Sequence, residues 1–150
     1  MLKHRQLIAH KQPLFSDIKA GDEIGPLIKG PYNVIMMARF AGVSGDFYPS
    51  HYDNKWAVEK SHHPSAIAHG LQLSCYLSQL VTDWMGPNSF MTRFSSQNRD
   101  LTLDGDTVTF RGRVIRKYTL GKENLVELEL WGDKQSGPRV IAGAATVRFP

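Results

Sequence analysis

The segment from His69 to Met85 constrains this chain most. Leu71, Leu73, Cys75, Tyr76, Leu77, Leu80, Val81, Trp84 and Met85 recur there at helical spacing and cover nearly the whole circumference. A helix at the surface of a globular protein carries one apolar stripe, whereas a helix that is apolar all round is buried inside the protein. Gly86-Pro87 stops it, with glycine free to reverse the chain and proline unable to continue the helix. The rest of the chain therefore has to supply a wrapping for this helix, and Cys75, in the middle of the apolar run, is expected to be a small buried hydrophobe.

The wrapping is legible downstream. Beyond Pro87 the period changes from helical to alternating. Ser89 to Ser96, Thr107 to Ile115, Leu125 to Trp131 and Val140 to Phe149 read as strands. Turn residues separate the last three: Asp104-Gly105 comes before them, with Leu120-Gly121-Lys122 and Ser136-Gly137-Pro138 between. Sequential strands joined by short turns pair antiparallel. A buried helix with such a sheet around it is an α+β arrangement.

Upstream, Asp22 to Lys29 reads as a short strand ended by Gly30-Pro31. Pro31 suits the first turn of a helix. That helix runs through to Gly42, with Val34, Ile35, Met37, Ala38 and Ala41 on its apolar face. Val43 to His51 is rich in turn residues and reads as loop. Asn54 to Lys60 reads as a short helix capped by Asp53 or Asn54. The chain divides into a lead-in over residues 1–20 and one domain over 21–150, a size that buries a full core without cross-links.

Charge and composition exclude several functions. Hydrophobic residues at 41% and charged residues at 21% are ordinary for a folded domain, which sets disorder aside. The net charge of +4 is spread over scattered Lys and Arg, with no basic helix, finger or aromatic-basic repeat, so nucleic acid is not expected as a partner. A mild positive charge suits a phosphate-bearing ligand and equally a protein with none. No stretch approaches the about 18 apolar residues of a membrane span, and Leu7 to Ala9 is too short for the apolar core of a secretion signal. The expected location is the cytoplasm, free of membrane.

Asp46 and His51 lie five residues apart, with Pro49 between them. A carboxylate beside an imidazole can hold a water and pass protons both ways. Gly70 opens the buried helix, where free N–H groups and the positive end of the dipole favour an oxygen gaining negative charge. Spacing alone leaves the plain reading open: Asp46 as a turn carboxylate and His51 as a loop residue. His62, His63, His51 and His69 lack the helical pair or companion cysteines of a metal site, so no metal is expected.

Two stretches favour the catalytic reading. Ala41-Gly42-Val43-Ser44-Gly45-Asp46-Phe47-Tyr48-Pro49-Ser50-His51-Tyr52-Asp53, followed by Ala66-Ile67-Ala68-His69-Gly70-Leu71, resembles the signature of the MaoC-like, R-specific enoyl-thioester hydratases. That signature reads approximately S-G-D-x-N-P-x-H-x-D and then I-A-H-G-M. The resemblance extends more loosely over residues 20–150, including Leu103 to Val108 as a turn into a long strand. It implies a hotdog fold, a long central helix wrapped by an antiparallel sheet. It implies reversible syn hydration of a trans-2-enoyl thioester to the R-3-hydroxyacyl thioester. Asp46 and His51 would be the catalytic pair and the Gly70 amide the oxyanion donor. Ser78 matches a serine that supports the catalytic loop, although a small residue there equally suits helix–sheet packing. His69 would orient the loop. Tyr48 replaces the usual Asn before the proline and puts substrate choice in question more than the reaction.

The resemblance adds no separate cofactor: coenzyme A or a phosphopantetheine arm arrives as part of the substrate. Two other readings remain beside it. One is a hotdog acyl thioesterase; the other is a subunit of a heteromeric hydratase, against which the presence of both Asp46 and His51 speaks. A lone hotdog leaves a sheet edge open, so a homodimer or higher even oligomer is expected, joined edge to edge. A monomer with its edge blunted by the basic strand Arg111 to Lys117 is the competing arrangement.

Overall fold

The computed structural model describes residues 12–150. A 3-10 turn over Phe15–Asp17 leads into β1 (Glu23–Lys29), α1 (Val34–Ser44), a second 3-10 turn over Pro49–His51, α2 (Asn54–Glu59) and α3 (Gly70–Met85). Four long strands follow: β2 (Phe90–Asn98), β3 (Val108–Leu120), β4 (Glu123–Lys134) and β5 (Arg139–Phe149). They form with β1 one sheet in the order β1-β3-β4-β5-β2, antiparallel throughout. α3 lies across its concave face, and the architecture is the expected α+β hotdog.

The core is the seam between α3 and that face. Leu73, Leu77, Leu80 and Val81 of α3 meet Val108, Phe110 and Val114 of β3, Val126, Leu128 and Leu130 of β4, and Ile141, Ala145 and Val147 of β5. Burying each large aliphatic side chain of this set contributes about 1.5–3 kcal/mol. Cross-strand partners project to the same face, and two neighbouring rows alternate in size. One row runs Ile24, Gly112, Leu130, Gly143, Ser96; the other runs Leu27, Phe110, Gly132, Ile141, Asn98. A glycine in one row stands beside a bulky residue in the next. At Gly143 a Cβ would sit 2.5 Å from the Ser95 carbonyl oxygen and 2.9 Å from Leu77 Cδ2, so only glycine lets α3 approach so closely.

Several expectations need correction. Pro31 lies outside α1, which starts at Val34 behind an Asn33 cap whose Oδ1 accepts from Met36 N–H at 2.9 Å. The reason is Tyr32, buried with its N–H donating to Asp106 O, which holds residue 32 in the core and delays the helix. α1 runs past Gly42 to Ser44 and ends on a left-handed Gly45, so Val43 and Ser44 are helical rather than loop. Of its expected apolar face, Met37 and Ala41 are buried while Ile35 is 62% exposed. α3 is not covered all round by this chain: Cys75 is exposed and Leu71 is 61% exposed. The basic strand Arg111 to Lys117 belongs to β3, an interior strand between β1 and β4, and blunts no edge. Of the lead-in, residues 1–11 lie outside the described residues; beyond them Ile18 is buried in the core.

Candidate active site

The chain brings its chemistry together where α1 ends and α3 begins. Gly45, at φ 77°, turns the backbone out of α1, and Asp46 follows at once. Its own N–H donates to Ser44 Oγ at 3.3 Å, and its Oδ1 accepts from Tyr48 N–H at 3.3 Å. This local turn presents the other carboxylate oxygen outward. Pro49 then opens the 3-10 turn that carries His51. Ser50, fully buried, ties the turn down: its carbonyl accepts from Ile67 N–H, and its hydroxyl pairs with Ser61 Oγ at 2.6 Å.

His51 Nδ1 lies 2.8 Å from the Ile67 carbonyl oxygen. A carbonyl only accepts, so Nδ1 carries the proton and Nε2 is left with its lone pair. That lone pair faces Asp46 Oδ2 across 3.7 Å. The gap exceeds a direct hydrogen bond and separates two acceptors. A water seated beside the pair, within hydrogen-bond reach of both atoms, can donate one proton to each. The carboxylate is 55% exposed and the imidazole 12%, so the site opens on the Asp46 side.

His69 locks the loop from below. It is 1% exposed and its Nε2–H donates to the Asp46 carbonyl at 3.0 Å. Its ring stacks on His51 at 3.6 Å between centroids and 20° between planes, and Phe40 packs against it at 5.1 Å. Burial holds His69 below the ordinary imidazole range, and the neighbouring His51 pushes the same way, against the Asp46 carbonyl and carboxylate, so it stays neutral. Asp46, His51 and His69 form a compact trio. It is poorly shaped for a metal: the stacked rings aim their lone pairs side by side rather than at one point, and one nitrogen of each is spent on a carbonyl.

The neutral His69 carries a stability consequence. The unfolded chain takes up this proton near pH 6.5, while the folded chain resists it to lower pH. Stability from this residue is present above pH 6.5 and lost as pH falls below it. We expect the melting temperature to drop between pH 7.5 and pH 5.5, and His69→Gln to flatten that slope. Equal slopes for both proteins would show that His69 is not the titrating group.

The other expected residues are distributed as follows. Gly70 is the first residue of α3, and neither its N–H nor that of Leu71 finds a protein acceptor among the described residues. Tyr48 sets its ring edge-on to His51 at 6.3 Å and its hydroxyl 3.3 Å from Ser61 Oγ. Ser78 lies two turns along α3, and its hydroxyl donates to Cys75 O within its own helix; among the described residues it makes no bond to the loop that carries Asp46 and His51. The supporting contacts that the sequence does not reveal are the Ile67 carbonyl, the Ser50–Ser61 pair and Asn54, whose Oδ1 accepts from Ala66 N–H at 2.7 Å. Only Asn54 left a signal, as a capping candidate. A groove of about 490 Å³ elsewhere on the chain is lined by Arg93, Ser95, Ile115, Glu127, Glu129 and Thr146, among others.

Comparison with known proteins bears on the family and the fold. The profile of the MaoC like domain family matches residues 20–130. The (R)-hydratase from A. caviae involved in PHA biosynthesis superposes with a TM-score of 0.78 at 25% identity, over 89% of this chain and 98% of that one. R-Hydratase PhaJ1 from Pseudomonas aeruginosa gives a TM-score of 0.80 at 24% identity, over 91% and 85%. The ChsH1-ChsH2 complex from Mycobacterium tuberculosis gives 0.77 at 20% identity, over 88% and 98%; this and the preceding likeness bear on the fold alone. No curated protein sequence matches the chain.

Proposed function

Because the chain belongs to the MaoC-like domain family, a family of hydratases and dehydratases, we propose that it adds water reversibly to a trans-2-enoyl thioester to give the R-3-hydroxyacyl thioester. The observation that carries this reading is the 3.7 Å gap between His51 Nε2 and Asp46 Oδ2, with the other His51 nitrogen committed to Ile67 O. One water seated beside the pair can reach both atoms at hydrogen-bond distance. The thioester carbonyl accepts from the Gly70 N–H, which draws electron density from C3 of the enoyl group. As the water oxygen bonds to C3, the pair takes one of its protons and delivers a proton to C2 on the same face. Water is thus added across the double bond with nothing left over, and dehydration retraces the step. The acyl group arrives on coenzyme A or a phosphopantetheine arm, so no separate cofactor is needed.

The test is to incubate the purified chain with crotonyl-CoA and follow the enoyl absorbance and free thiol together. Hydration predicts falling absorbance with no thiol released. Thiol release would replace this reading with a thioesterase. Activity that appears only when a second protein is added would make the chain one half of a heteromeric hydratase.

The exposed features support a homodimer, and the cytoplasm is its proposed location. Among the described residues no helix is long and apolar enough to cross a membrane. The sheet ends in two edges, β1 and β2. β1 is broken by an irregularity between Ile24 and Leu27 and contains Pro26, which has no N–H to offer. β2 runs nine residues without proline, next to the uncovered Leu71 and Cys75 of α3. A second copy joined along β2 would pair the edge and cover that stripe. Such an interface buries on the order of 1,000 Å² or more. At low micromolar concentration the chain is expected to sediment at twice its mass or a larger even multiple; a persistent single-chain mass would rule the dimer out.

A further inference from the structure

Asn98 ends β2 directly opposite Ile141, which is fully buried on the concave face. Partners in an antiparallel pair project to the same side, so the Asn98 side chain points toward α3. It ends against Gly70. The position a Cβ would take on Gly70 overlaps Asn98 Nδ2, with Asn98 Cγ at 3.0 Å and Oδ1 at 3.5 Å. The NH₂ end of the carboxamide therefore lies on the first residue of α3. Gly70 is glycine because Asn98 occupies the space where a side chain would begin.

Donors outnumber acceptors at this point, Asn98 Oδ1 being set farther from Gly70 than Nδ2. The Gly70 and Leu71 N–H groups are free of protein acceptors among the described residues. Among those residues the Asn98 carboxamide likewise makes no side-chain hydrogen bond. Helix N–H groups, the positive end of the α3 dipole and an amide NH₂ are all donors or positive ends. Asn98 is exposed, so water reaches these donors, and a bound acceptor oxygen would take the place of that water. The cluster opens beside the Asp46–His51 pair, since His69, the residue before Gly70, stacks on His51.

We propose that Asn98 Nδ2 is a second donor to the thioester carbonyl oxygen, acting with the Gly70 N–H. This assignment rests on the hydratase reading. Negative charge grows on that oxygen as water adds at C3, so a donor aimed there before the reaction stabilises the transition state more than the bound substrate.

Removing one such donor lowers kcat by about 10²–10³-fold. Asn98→Ala is expected to show a fall of about 10²-fold on crotonyl-CoA, with the shape of the pH profile unchanged because Asp46 and His51 remain. Asn98→Asp separates donor from filler. It keeps the shape, and a carboxylate at a helix N-terminus is favourable for folding. Its melting temperature should match or exceed that of the unaltered chain, while its activity falls below that of Asn98→Ala because the charge repels the forming oxyanion. Gly70→Ala should cost more activity with Asn98 present than in the Asn98→Ala background, where its methyl group has room. If Asn98→Ala and Asn98→Asp both keep full kcat while Asp46→Asn is inactive, the assignment of Asn98 is wrong and the hydratase reading stands. If the unaltered chain releases thiol from crotonyl-CoA, or does not hydrate it at all, the hydratase reading fails and the role of Asn98 fails with it.

Discussion

Asp46→Asn is expected to reduce hydration of a trans-2-enoyl thioester by about 10²–10⁴-fold while leaving the fold intact. Asparagine keeps the shape of the side chain and an oxygen to accept the Tyr48 N–H, the bond that sets the turn. Because the carboxylate is 55% exposed, no buried charge is left unpaired by the change. What disappears is the ability to take and return a proton. His51→Ala should cause a loss of similar size, yet with a drop in melting temperature, because it also cuts the 2.8 Å link to Ile67 O and the stack on His69. The two losses should not add. Both side chains act on one water, so the double variant should be hardly slower than the worse single variant. Steady-state kcat on crotonyl-CoA, with circular dichroism to verify folding, checks all three. A folded Asp46→Asn protein with full activity would remove the pair from the mechanism.

The features legible in the sequence are those written as local patterns. The apolarity of His69 to Met85 required a wrapping, and the alternation after Pro87 provided it as strands. The two-part motif placed Asp46, His51, His69 and Gly70 within reach of one another, and the structure brings them together. The misses share a cause: they depend on what lies across from a residue, not beside it. An apolar stripe reads the same whether its own chain or a second copy covers it, so Leu71 and Cys75 read as buried. Pro31 read as a helix start because nothing local reveals that Tyr32 is fastened to Asp106. The clamp on His51 is a backbone carbonyl, Ile67 O, and a carbonyl has no letter in the sequence. Asn98 meets Gly70 only through the register of β2 on β5, which the turn residues do not specify. Ser78, expected from the resemblance to support the loop, closes its hydroxyl onto its own helix.

Leu77→Ala should produce the largest loss of stability of any single truncation in α3. Leu77 is fully buried at the middle of the helix and points at the row Ile24, Gly112, Leu130, Gly143, Ser96. Gly143, which it covers, has no side chain to collapse into the space it leaves. Such truncations cost about 2–5 kcal/mol, out of a total near 5–15 kcal/mol for a domain. The melting temperature should fall by roughly 5–20 °C. The opposite error, Gly143→Ala, puts a methyl group 2.9 Å from Leu77 Cδ2 and 2.5 Å from the Ser95 carbonyl oxygen. The first clash is with a side chain and the second with the backbone of β2. In the Leu77→Ala background the first vanishes and the methyl partly fills the cavity, while the second remains. Gly143→Ala should therefore cost less stability there than in the unaltered chain, but still more than nothing. Its residual cost should appear as lost activity too, since moving β2 away from β5 carries Ser96 and Asn98 off α3. Urea denaturation of the four proteins of this cycle measures the coupling. Equal cost of Gly143→Ala in both backgrounds would show that contact with Leu77 does not set how closely α3 lies on the sheet.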